Sequence, residues 1–329
     1  MKGGAGDLIR RFVQSANGAE IYSAFEPRAG YVYGIITVNI VACGLAATSM
    51  GFSFSPKLAL PLSVCLLFII GGCLGRRIGF GRLGGTLEVL GLLYLGGFAV
   101  EMLSLPLAAT NLPYTDALLA AGDRAIGINV GHLFEFFDRH QSLIPLAFAS
   151  YASFDIQPFI IFPTLFYRGS SHRAWVAVTS GLLALTVTAA FFPFFPAVAA
   201  YIHFGFLPGA YSPAVHELPW VFVRPLEMLR HGEIRTISPD YFKGYITFPS
   251  FHAAAAAIFV WAGWHTRLRW FLLVLNVAMA FTAMSVGAHY MVDIIGGVAL
   301  AGATIPFVGS WIRTSDLSTG RGELEIKDA

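Results

Sequence analysis

The chain has 329 residues, of which 56% are hydrophobic and only 12% charged, with a net charge of +2 and a mean hydropathy of +0.67. A water-soluble domain carries about a quarter of its residues as charged side chains, so this balance excludes an ordinary soluble protein and implies a polytopic membrane protein. So small a net charge gives no reason to expect a nucleic-acid partner.

A helix needs about 20 apolar residues to cross the hydrocarbon core of a bilayer. Eight stretches approach that length: 31–53, 58–75, 84–108, 142–167, 174–198, 248–265, 268–288 and 290–312. The expected fold is therefore all-α. The first 30 residues carry Asp7, Glu20 and Glu26 with no apolar run, and do not read as a signal peptide. Cys43, Cys65 and Cys73 lie inside apolar stretches without metal-type spacing and imply no disulfide framework. Glu88, Glu101, Asp155 and Gln157 fall within the third and fourth stretches, where internal hydrogen bonds are expected for each.

Placing the N-terminus in the cytoplasm puts fourteen Lys and Arg on the inner side, including Lys2, Arg10, Arg11, Arg321 and Lys327, against seven outside. Both termini are therefore expected to be cytoplasmic, and segments 109–141 and 199–247 fall outside. The first shows apolar residues at three- and four-residue steps with acidic ones between, which reads as amphipathic helices at the interface. They form either a plain packed lid or a guide for a lipid headgroup. The second holds Pro208, Pro213, Pro219 and Pro225, which argue against one long helix. Phe191–Phe195 read as an interfacial aromatic belt, and the polar tail 314–329 is expected to be disordered.

The chemistry concentrates between Phe248 and Gly297. Pro249-Ser250-Phe251-His252 opens the sixth stretch, and His289-Tyr290-Met291-Val292-Asp293 opens the eighth. One out-and-back passage between them returns both histidines to the same face. His289 and Asp293 are four apart, within reach on one helical face. A carboxylate on one imidazole nitrogen fixes the tautomer and frees the other nitrogen to attack phosphorus. His252 is the natural general acid. Ser250, with the unpaired N–H groups of its helix start, makes an anion site.

These two segments resemble the second and third signatures of the type 2 phosphatidic acid phosphatase superfamily. His289-Tyr290-x-x-Asp293 most resembles its inositol phosphorylceramide synthase-like branch, including bacterial members. The resemblance implies that His252 is the general acid, that His289 forms a covalent phosphohistidine, and that Asp293 orients it, without a metal or other cofactor. It also implies a six-helix core over 84–313, preceded by a segment 1–83 with two extra helices and followed by the tail 314–329. In the phosphatase branch the third signature begins Ser-Arg; those slots here are Thr282 and Ala283, so one phosphate-binding arginine is missing. The first signature, Lys-x6-Arg-Pro, is matched in part by Glu217-x6-Arg224-Pro225. Arg224, Arg230, Arg235 and Lys243 all remain candidates for the phosphate clamp.

The sequence thus implies an integral-membrane phosphatase or phosphotransferase of lipid phosphates or diphosphates, with water or an alcohol as acceptor. Its expected place is a bacterial inner membrane, with the site on the extracytoplasmic face. A transporter or a catalytically silent scaffold of the same fold are the alternatives. The sequence does not set the oligomeric state.

Overall fold

The computed structural model describes residues 26–206 and 213–318, so Lys2, Asp7, Arg10, Arg11, Glu20, Arg321 and Lys327 lie outside the described residues. All eight apolar stretches fold as helices. In chain order these are α1 (Ala29–Ser49), α2 (Ala59–Arg77) and α3 (Gly81–Ala108), then α4 (Asp116–Ala125) and α5 (Val130–Arg139). Next come α6 (Ile144–Ile156), α7 (Pro158–Tyr167), α8 (Ser171–Phe191), α9 (Ala200–His203) and α10 (Pro213–Arg230). Three helices complete the described residues: α11 (Phe251–Gly263), α12 (Arg269–Ser285) and α13 (Met291–Ser318).

Among the described residues, five segments are long and apolar enough to span a membrane: α1, Pro56–Arg77 with α2, α3, Ser171–Phe194 with α8, and Met291–Arg313 in α13. The fourth expected span is not one straight helix. It breaks between α6 and α7 with a bend of 46°, because Pro158 has no N–H to donate and its ring clashes with the preceding turn. The sixth and seventh are shorter, with 13 residues in α11 and 17 in α12. α11 is cut short at its start by Pro249 and the Ser250 cap. The last helix continues to Ser318, into the stretch expected to be disordered, while 319–329 lie outside the described residues.

The prolines of the second outer segment do not prevent a helix. α10 runs for 18 residues through Pro219 and Pro225. An interior proline costs roughly 3 kcal/mol; here Leu226 and Leu229 are almost fully buried against Leu105, Ile237 and Tyr245, and that apolar burial offsets it. Glu217 lies in this helix, in the part whose side chains are not described.

α3 and α8 form the centre: 67% of each span window is buried, against 28% for α1 and 22% for α2, which sit at the periphery. α8 packs on α3, α11 and α13, over a core that includes Leu92, Phe166, Trp175 and Ile258. α2 and α3 approach backbone to backbone at Gly72 and Gly84, where an added Cβ on Gly72 would stand 2.7 Å from the Gly84 carbonyl oxygen. Just below, Arg76 and Glu88 form a fully buried ion pair, the internal partner expected for Glu88. Gln157 is likewise satisfied, accepting from Asn276 Nδ2 at 2.7 Å. The loop after α1 reaches across to the segment after α10. Ser53–Phe54 (β1) pairs in parallel with Thr236–Ile237 (β2), and Lys57 meets Asp240 at 2.7 Å.

Candidate active site

The two motif segments meet because α11 and α12 carry the chain out and back, and α11 then packs along α13. That packing is very close. A Cβ on Gly297 would stand 2.1 Å from the Ser250 carbonyl oxygen, so only glycine permits this approach. Between α12 and α13 the turn passes through Ala288 at φ +60°, whose carbonyl accepts the Ala200 N–H. A left-handed alanine costs roughly 1 kcal/mol, and the surrounding contacts hold it in place.

His289 sits between two partners. Its Nδ1 lies 3.3 Å from Asp293 Oδ2 and its Nε2 lies 3.3 Å from Ser250 Oγ. Asp293 is wholly buried, and its Oδ2 also accepts the Tyr290 N–H at 2.9 Å. With Asp293 accepting from Nδ1–H, the Nε2 lone pair is free and faces the serine hydroxyl. Ser250 caps α11 by accepting the Ala253 N–H at 3.4 Å, while its own N–H donates to the Asp293 carbonyl at 2.9 Å. His252 stacks on Tyr151 with centroids 4.3 Å apart and tilts against Phe154 at 4.8 Å. Its ring lies 6.4 Å from that of His289, a separation that leaves room for a small tetrahedral group between them.

Both histidines line a cavity of about 340 Å³ that runs between α3, α6, α7, α8 and α11. Its walls are mainly apolar, including Leu93, Phe162, Val178, Leu185 and Phe259, with Glu101 and Asp155 among the lining residues. Such a space suits an amphiphile whose polar end reaches the histidines.

Of the expected site residues, the fold brings Ser250, His252, His289 and Asp293 together, and none of the four basic candidates lines this cavity. Arg224 is exposed on α10 and Lys243 is exposed in the following loop. Arg230 lies 3.9 Å above the Tyr114 ring and donates to the Leu112 carbonyl at 2.8 Å. Arg235 stands over Phe52 at 5.2 Å, and its buried Nη1 has no partner among the described residues.

Sequence reasoning left the acidic residues of the first outer segment without a role. The segment does form the amphipathic helices α4 and α5, and two aspartates of α4 grip the second motif segment. Asp123 accepts the Met291 and Val292 N–H groups at 3.0 and 2.9 Å, capping α13 from a separate helix. Burial pushes the Asp123 carboxyl up from its ordinary range, and these two donors pull it partly back. Asp116 accepts the Tyr290 hydroxyl at 2.9 Å and the Val198 and Ala199 N–H groups at 3.0 and 3.3 Å. Their partners are mostly backbone groups, which leave no trace in sequence spacing. The aromatic run also packs inward rather than only forming a belt: Phe195 meets Phe248, beside the Pro249-Ser250 segment, at 4.9 Å.

Apolar spanning helices around a buried His–Asp pair make this an integral-membrane, all-α protein. The model of the PAP2 superfamily matches residues 117–307, more than half of the chain. The chain belongs to the PAP2 superfamily, whose members are phosphatases or phosphotransferases, and this supports a lipid-phosphatase type of function on a lipid phosphate substrate. The matched region begins in α4 and so leaves α1, α2 and α3 outside it. No curated protein and no solved structure matches the chain.

Proposed function

We propose that this chain is a lipid-phosphate phosphotransferase or phosphatase that works through a covalent phosphohistidine on His289. The supporting observation is the contact series Asp293–His289–Ser250, which fixes one imidazole nitrogen and presents the other at the start of α11. In the first step His289 Nε2 forms a bond to phosphorus while the ester P–O bond breaks, and His252 gives its proton to the departing oxygen. In the second step water or an alcohol attacks phosphorus, the N–P bond breaks, and the attacking oxygen passes its proton to His252. The N–H groups at the start of α11 face the anionic oxygens.

The motif His289-Tyr290-x-x-Asp293, and Ala283 in the slot of an arginine, favour the inositol phosphorylceramide synthase-like branch and hence transfer. The deep burial of α3 and α8 beside peripheral α1 and α2 supports a catalytic core over 84–313 with two added helices. The charge distribution favours cytoplasmic termini and an extracytoplasmic site in a bacterial inner membrane.

The test is phosphate release from short-chain phosphatidic acid or a polyprenyl diphosphate by the purified protein in detergent with EDTA. His289→Ala is expected to abolish release, and acid-stable labelling to be absent while alkali-stable phosphohistidine appears in the wild type. Undiminished release by His289→Ala removes the proposed nucleophile. A wild type with neither release nor labelled histidine points to a silent relative or a transporter.

A further inference from the structure

Gly181 stands in the middle of α8 and is buried. Close packing explains other buried glycines. A Cβ on Gly96 of α3 would stand 2.5 Å from Leu182 Cδ2, and one on Gly85 would stand 2.3 Å from Phe166 Cε1. No such contact explains Gly181, where an added Cβ meets no neighbouring atom within 4 Å. Glycine weakens a helix interior relative to alanine, and at this position no close approach is gained in return. Protein interiors are packed as densely as organic crystals, so a buried backbone that faces open space borders a cavity the fold maintains. Gly181 lines the cavity of about 340 Å³ that holds both histidines.

Its depth follows from two contacts that set α8 antiparallel to α11. Arg173, near the start of α8, donates to the Trp261 and Ala262 carbonyls, each at 3.0 Å. Phe191, at the end of α8, meets Phe248 with ring centroids 6.3 Å apart. Leu185 therefore lies toward His252, and Val178 lies toward the far end with Ile258 and Phe259. Gly181 falls level with Ala255, three residues and about 4.5 Å along α11 from His252. The wall of α3 is bare at the same height. Gly97 lines the cavity next to the Gly96 that packs on Leu182, and a Cβ on Gly97 also meets nothing. Past this level the cavity continues to Phe259, about 6 Å further along α11, bordered by Phe162, Val178 and Ile258.

We propose that Gly181 is a specificity-determining residue that touches the hydrocarbon chain of the lipid phosphate and keeps the deep end of the cavity open to a long unbranched chain. This rests on the phosphohistidine reading above, which sets the phosphate between His252 and His289. A phosphate held there directs its ester chain past Ala255 and Gly181 toward Phe259. Lipid tails and an apolar wall are nearly equivalent surroundings for a chain, so the selection is steric: a side chain at Gly181 would stop the chain partway.

The experiment measures phosphate release from ethyl, butyl, hexyl and octyl phosphate by the full-length protein in one detergent. Partition into micelles depends on the chain and not on the variant, so the readout is the variant to wild-type ratio of kcat/KM at each length. Gly181→Leu should lower this ratio roughly tenfold for octyl phosphate through overpacking against the chain, and leave ethyl phosphate within about threefold. The double variant Gly97→Ala/Gly181→Ala narrows the same level with two methyl groups that meet no atom of the protein. It should show a several-fold loss in the same sense, and serves as the reading variant if Gly181→Leu does not fold. A ratio that is equal at every chain length overturns the role of Gly181 while leaving the phosphohistidine reading intact. Full turnover of octyl phosphate by His289→Ala overturns that reading instead, and the assignment of Gly181 with it.

Discussion

Ser250 and His289 are 39 residues apart in the chain, yet the serine Oγ stands 3.3 Å from the histidine Nε2. The same oxygen caps α11, so one hydroxyl serves both the helix start and the reactive nitrogen. Ser250→Ala should therefore lower stability by about 1 kcal/mol through the lost cap. It should also slow phosphate release roughly tenfold through the lost contact. Thermal unfolding in detergent and steady-state kinetics separate the two effects, and an unchanged rate would show that the serine is only a cap.

Asp293→Asn preserves size and one acceptor oxygen but offers an amide where the carboxylate fixed the His289 tautomer. A loss in kcat of roughly 10³–10⁴-fold is expected, with little change in fold. Labelling quenched and resolved in alkali should show phosphohistidine falling in step. Normal labelling in this variant contradicts the orienting role.

Gly297 and Gly302 lie on the same helix and differ in surroundings. A Cβ on Gly297 meets the Ser250 carbonyl oxygen at 2.1 Å, whereas one on Gly302 meets nothing within 4 Å. Gly297→Ala should cost about 1–3 kcal/mol by overpacking and should depress activity by moving Ser250. Gly302→Ala should be neutral or slightly stabilising. Melting temperatures and phosphate release for the pair give the comparison.

Asp123→Ala withdraws both acceptors from the first turn of α13. By analogy with lost N-caps, stability should fall by about 1–2 kcal/mol. Activity should fall further than this alone explains, since Asp293 lies just beyond the released amides. A variant as active and stable as wild type would mean that the contact is incidental.

Arg230 and Arg235 should part company. Arg230 is engaged with Tyr114 and Leu112, so Arg230→Ala is expected to lower thermal stability more than activity. Arg235 keeps a buried Nη1 without a partner among the described residues but does not line the cavity; the phosphate clamp expected from the sequence predicts that Arg235→Ala raises KM for the lipid phosphate several-fold. Equal kinetics in both variants would remove Arg235 from the clamp.

The membrane-spanning architecture was legible because hydrophobic length is a one-dimensional property. So was the four-residue step from His289 to Asp293, which local geometry converts directly into contact. The bend at Pro158 was readable in principle, since the proline stands in the middle of an otherwise continuous apolar run. The helix through Pro219 and Pro225 was not, because burial of Leu226 and Leu229 against distant segments overrides the local preference. Asp116 and Asp123 were opaque for a related reason. Their significance lies in which backbone amides they face, and only the folded chain brings those together.

The capping of α13 from outside has a consequence for exchange with solvent. The first-turn amides of a helix have no intrahelical acceptor and ordinarily trade their hydrogens quickly. Met291 and Val292 instead bond to Asp123 on α4. Their deuterium uptake therefore reports how often α4 lifts away from the bundle, and two amide signals measure the local opening free energy of the interfacial helix.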